Sequence, residues 1–121
     1  METIDNKAMR GISSYLTRHG YDILEEGWTH GKDAIDFIAR DERDELVFIA
    51  TRATNGGNKL PAEKVSRRSL ERIAAAYLSS NIELPEGAVR FDFISMLILG
   101  DSKALIRHHR NALGDDSITE V

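Results

Sequence analysis

The stretch Ala34–Arg52, AIDFIARDERDELVFIATR, restricts the folds open to this chain more than any other. Two apolar runs flank a charged segment, Asp41-Glu42-Arg43-Asp44, which is the pattern of a β-hairpin with its turn in solvent. Strand side chains alternate with a period of two. Ala34, Asp36 and Ile38 are therefore expected on one face, and Ile35, Phe37 and Ala39 on the other. In the second run Phe48, Ala50 and Arg52 share one face, opposite Val47, Ile49 and Thr51. The anomaly is Asp36, a lone carboxylate between Ile35 and Phe37, because an unpaired buried carboxylate is costly. Either it closes a strand end by pairing with a cation, or it marks a site.

Around this hairpin the chain alternates helical and extended patterns. Ala8, Ile12, Tyr15 and Leu16 fall on one helical face, which predicts a helix over about Thr3–His19, capped by Thr3 or Asp5 and stopped by Gly20. Tyr21–Leu24 is a short extended run leading to Trp28. Asn55-Gly56-Gly57-Asn58 reads as a loop, and Pro61 opens a second helix reaching Ser80. After a loop with Pro85 and Gly87 come an apolar strand, Arg90–Leu99, a Gly100-Asp101 turn, and a last strand from Lys103 to His108. The order αβββαββ predicts an α/β fold with a central mixed sheet flanked by helices. Residues 1–113 form one expected domain, and Gly114–Val121 a polar tail.

Composition removes several chemistries. With no cysteine there is no thiol nucleophile, disulfide scaffold or Cys-ligated metal. His108 and His109 are strand neighbours pointing to opposite faces, so they cannot share one metal. Ser13, Ser14, Ser66 and Ser69 lack a nucleophile-elbow context, and no phosphate-cradling glycine motif is present. The first residues, METIDNKAMR, have no signal-peptide pattern, and no run reaches membrane-spanning length; a cytoplasmic location is expected, without a membrane role. Net charge is −4, yet between Arg52 and Arg72 six cations (Arg52, Lys59, Lys64, Arg67, Arg68, Arg72) face two acids, Glu63 and Glu71. That local excess points to an anion-facing surface.

The ordered pieces Gly20-Tyr21-Asp22-Ile23-Leu24 with Trp28, Ile35-Asp36-Phe37-Ile38-Ala39-Arg40-Asp41, Leu46-Val47-Phe48-Ile49, Pro61-Ala62-Glu63-Lys64-Val65, Arg90-Phe91-Asp92-Phe93, and His108 with Asn111-Ala112-Leu113 resemble the bacterial YraN-like family. That family belongs to the restriction-endonuclease-like, PD-(D/E)XK nuclease superfamily, so the resemblance implies a mixed sheet flanked by helices. It also implies Glu-Ile-Asp on the first hairpin strand, Glu-Val-Lys on the second and a glutamate on the first helix. Here those places hold Ala34-Ile35-Asp36, Ala50-Thr51-Arg52 and, near the helical position, Met9. Such a site uses carboxylates to hold Mg²⁺ for phosphodiester hydrolysis. Alanine offers no ligand, and arginine cannot act as a base but can grip a phosphate. Asp36 and Arg52, on one expected face, can form an internal ion pair in place of a metal.

The resulting expectation is a degenerate nuclease-fold protein with no metal cofactor, whose vestigial site residues are Asp36, Arg52 and Glu63. It would bind DNA or RNA through Arg52, Lys59, Lys64, Arg67 and Arg68. Two alternatives stand beside it: a Mg²⁺/Mn²⁺-dependent nuclease using Asp36 and Glu63, and a homodimeric interaction module with Phe91–Leu99 at its interface.

Overall fold

The computed structural model describes residues 4–55, 67–80, 89–100 and 103–112. Along the chain these form α1 (Ile4–Arg18), β1 (Asp22–His30), β2 (Asp33–Arg40), β3 (Leu46–Asn55), α2 (Arg67–Ser80), β4 (Val89–Ile98) and β5 (Ala104–His109). The expected order αβββαββ is the observed one, and the fold is α/β, a mixed sheet flanked by two helices in the restriction-endonuclease-like arrangement. Thr3, the loop at 56–58, the expected helix start at Pro61, Pro85 with Gly87, and the tail from Gly114 lie outside the described residues.

The sheet runs β1-β2-β3-β4-β5 in chain order. All neighbours are antiparallel except β3 and β4, which are parallel. A parallel pair cannot be closed by a tight turn, and the connection between these two strands carries α2. β4 is hydrogen-bonded on both sides, so its apolar run Phe93–Leu97 is explained by an interior position in the sheet. The helices cover opposite faces. Ala8, Ile12 and Leu16 of α1 pack with Phe37, Val47, Ile49 and Ile94, whereas Leu70, Ile73 and Tyr77 of α2 pack with Ile35, Ile38 and Phe48. Among the described residues no helix is long and apolar enough to cross a membrane.

Helix α1 ends as its sequence requires. Gly20 takes a φ of +88°, and the N–H groups of Gly20 and Tyr21 bond the carbonyls of Thr17 (3.2 Å) and Leu16 (3.0 Å). These are the two crossed bonds of a Schellman motif, and they place Tyr21 at the start of β1, beneath α1.

Two expectations about the hairpin need correction. Strict alternation fails around Asp36: Ile35 and Ile38 enter the α2-side cluster, while Phe37 and Ala39 enter the α1-side cluster. The partner strand shows the cause. Trp28 lies opposite Ile35 and Glu26 opposite Phe37, and between them Gly27 takes a φ of +64°. That left-handed residue, which glycine accepts without a Cβ penalty, breaks the pleat where it passes Asp36. The turn at Asp41–Asp44 is also not wholly solvated, because Asp41 is buried. Its Oδ1 accepts the N–H groups of Arg43 and Glu45, both at 2.9 Å, and organises the turn from inside.

Candidate functional site

The β2–β3 ladder pairs Arg40 with Leu46 and runs to Phe37 opposite Ile49. Beyond that point the Asp36 side chain takes over the bonding. Its Oδ2 accepts the Thr51 N–H at 2.8 Å and the Thr51 hydroxyl at 2.9 Å. Asp36 therefore ties the two strands together where their backbones stop pairing. The expected Asp36–Arg52 ion pair is absent: Arg52 is exposed, and its guanidinium donates to the Thr51 carbonyl at 2.9 Å. The broken pleat at Gly27 is the physical reason, since the same-face argument assumed unbroken alternation.

Among the described residues, the side chains around Asp36 offer a divalent cation few ligands. Asp36 Oδ2 is engaged by two donors of Thr51, and Ala50 supplies no ligand. Among the described residues no group of three or more His, Asp or Glu side chains is close enough to hold a metal ion. Glu63 lies outside the described residues, as do Lys59 and Lys64. Thr51 is the site residue that sequence reasoning passed over. A hydroxyl one position from Arg52, on the strand beside Asp36, was the available signal.

On α2 the cations divide. Arg67 bonds Glu71 at 3.1 Å, and Arg68 is exposed. Arg72 forks onto Asp33 at 2.9 and 2.8 Å, linking the helix to the start of β2. Those hydrogen bonds hold the Asp33 carboxyl below its ordinary value. Arg52, on β3, belongs to a separate element of the same basic set.

A second polar assembly lies on the α1 face, and it was present in the sequence only as pieces of the resemblance. Asp92 on β4 is 1% exposed. It accepts hydrogen bonds from Arg90 (2.9 and 3.1 Å), Tyr21 (3.1 Å) and the Asn111 N–H (2.9 Å). His108 Nε2 lies 2.8 Å from the same carboxylate, and His108 Nδ1 lies 3.0 Å from the Tyr15 phenol. An ionised carboxylate only accepts, so Nε2 carries a proton; in the neutral ring Nδ1 then accepts from Tyr15. Arg90 reaches on to Asp41 (2.6 Å) and Glu45 (3.0 Å) at the β2–β3 turn.

Burial pushes the Asp92 carboxyl up, but the bonds from His108, Arg90 and Asn111 outweigh it and hold it at about 2. Burial, then the Asp92 charge, push the Tyr21 phenol up to about 12. Asp92, a lone acid inside an apolar strand, carries the same sequence signal as Asp36, and that signal should have singled it out equally.

A family model described as uncharacterised protein family UPF0102 matches residues 10–96. A UPF0102 protein of Trichlorobacter lovleyi is 31% identical over 104 residues, covering 83% of this chain and 81% of its own length. One from Parabacteroides distasonis is 35% identical over 104 residues, covering 82% of each chain. A third, from Desulforamulus reducens, is 28% identical over 117 residues, covering 93% of this chain and 96% of its own.

Proposed function

Since the chain belongs to the uncharacterised protein family UPF0102, the YraN family, we propose that it is a nuclease-fold protein that binds nucleic acid without cleaving it. The observation that carries this reading is the occupation of Asp36. Its Oδ2 accepts both donors of Thr51, which stands in sequence between Ala50 and Arg52, where the resemblance to metal-dependent nucleases expects glutamate and lysine. Mg²⁺ sites rely on free carboxylate oxygens. With Asp36 Oδ2 hydrogen-bonded and Arg52 exposed one residue along from Thr51, the place is instead suited to anions, which arginine can hold through paired N–H donors. Binding is assigned to Arg52, Lys59, Lys64, Arg67 and Arg68, and it is electrostatic, so affinity falls steeply with salt as counterions are released.

The test is a cleavage and binding assay on single-stranded, duplex and branched DNA and on RNA, with Mg²⁺ or Mn²⁺, run beside Asp36→Ala protein. The expected result is salt-sensitive binding and no cutting that differs between the two proteins. Metal-dependent cutting that is lost in Asp36→Ala would restore a nuclease with relocated ligands, Glu63 among them. Absence of binding to every substrate would remove the nucleic-acid role and leave an interaction module.

A further inference from the structure

The β1–β2 hairpin carries an arrangement that neither sheet nor core requires. Trp28 and His30 are alternate residues of β1, and their rings lie within 9° of parallel with centroids 6.1 Å apart. That separation is an offset stack, which leaves part of each ring face outside the overlap. Tyr77 of α2 meets the Trp28 ring edge-on, with centroids 5.2 Å apart at 88°, and donates its hydroxyl to Glu25 at 3.3 Å. The inner ring is thereby fixed to the helix, while His30 is exposed beyond it.

The ends of the hairpin add charge. Gly31, with a φ of +62°, starts the Gly31-Lys32 turn as a type II′ turn requires, and Lys32 stands exposed at its tip. Asp33, the first residue of β2, is held by the Arg72 fork, which docks the hairpin on α2. Arg68 is one helical turn before Arg72 and so shares that side of the helix. The acids nearby are engaged or turned away. Asp33 faces Arg72, Glu25 accepts from Tyr77, and Glu26 sits opposite Phe37, whose ring enters the α1-side cluster.

Packing alone explains Trp28 against Tyr77. It does not explain an exposed imidazole laid parallel to that indole next to a lysine. We propose that Trp28 and His30 form a stacking platform for an unpaired base of a single-stranded nucleic acid, with Lys32 and Arg68 meeting the adjoining phosphates. This rests on the nucleic-acid reading above and specifies its partner. Bases within a duplex already stack on both faces, whereas a single strand can lay one face on an exposed ring. Stacking of this kind tolerates any base, because every base has a π-face.

Trp28 is the only tryptophan in the chain, so intrinsic fluorescence reports this platform alone. The full chain would be titrated with oligo(dT) and with a duplex of equal length at one salt concentration. Binding would be followed in parallel by anisotropy of end-labelled strands. Saturable quenching with oligo(dT), at least about tenfold weaker binding of the duplex, and about tenfold weaker oligo(dT) binding by His30→Ala are expected. Because His30 is exposed, His30→Ala should unfold at the wild-type temperature, so its weaker binding would not reflect misfolding. Anisotropy changes without quenching, equal affinity for duplex and single strand, or an unaffected His30→Ala would overturn the platform while leaving nucleic-acid binding in place. Absence of any anisotropy change would overturn both.

Discussion

Asp92 on β4 and Asp36 on β2 show how one residue type serves two purposes in strands that flank β3. Asp92 is buried with a full set of donors, and its carboxyl, held at about 2 against an ordinary 3.8, ties stability to pH. Between these values the unfolded chain binds more protons than the folded one. The stabilisation is therefore complete above about pH 4 and is lost as pH falls toward about 2. Urea unfolding across that window should show the midpoint dropping. Asp92→Asn should lack much of that drop and be weaker at neutral pH by about 3–5 kcal/mol, because it removes the buried charge that Arg90, Tyr21, His108 and the Asn111 N–H converge on, leaving Arg90 only Asp41 and Glu45. Alkaline behaviour has the opposite sign. Tyr15, Tyr21 and Tyr77, all the tyrosines in the chain, are raised above the ordinary phenol value, with burial the largest cause. The folded protein should show little phenolate absorbance at pH 10, and the signal should rise with unfolding. At the other site, Thr51→Val removes one donor to Asp36 and keeps the backbone bond; a loss of about 1–2 kcal/mol in urea melts is expected.

At the scale of elements, α1 offers a test of packing against propensity. A Cβ built on Gly11 would lie 3.0 Å from the terminal methyl of Met96. That methyl is the end of a flexible side chain and can move aside, while alanine favours the helix by up to about 1 kcal/mol. Gly11→Ala should therefore stabilise modestly in thermal melts, and Gly11→Leu should destabilise through overpacking. The same elements show what the sequence could tell. Helix α1, its Gly20 stop and the apolar β4 were legible, since each is set by local periodicity or by one glycine. The outcome at Asp36 was not, because it depends on Gly27, a residue of a different strand whose left-handed backbone breaks the pleat only once β1 and β2 are paired. Asp41 was misjudged for a related reason: its burial depends on Arg90, 49 residues away in sequence.

Across the whole molecule, β2, β3 and β4 are each paired on both sides, β3 and β4 through the longest ladder, with α1 packed against β3. Amide hydrogen exchange should be slowest over residues 47–50 and 92–97. It should be fastest in β5 and at the β1–β2 tip, where the strands are edges and backbone groups face water. Charge is also distributed by region: the chain is net −4, while the cations assigned to binding lie on β3, on α2 and in the segment between them. Removing one of them, as in Arg68→Ala, should lower the slope of log affinity against log salt by nearly one unit while leaving thermal stability unchanged.

The Asp92 assembly also imposes an order in time on a chain made from its N-terminus. Tyr15 is synthesised 93 residues before its His108 partner, and Asp92 precedes His108 by 16 residues and the Asn111 N–H by 19. Until β5 emerges, β4 carries a carboxylate whose burial lacks two of its donors, so an intermediate truncated before Ala104 has no settled place for that charge. The edge strand, outermost in space, is thus the piece that completes the interior. A nascent chain should become protease-resistant late and in one step.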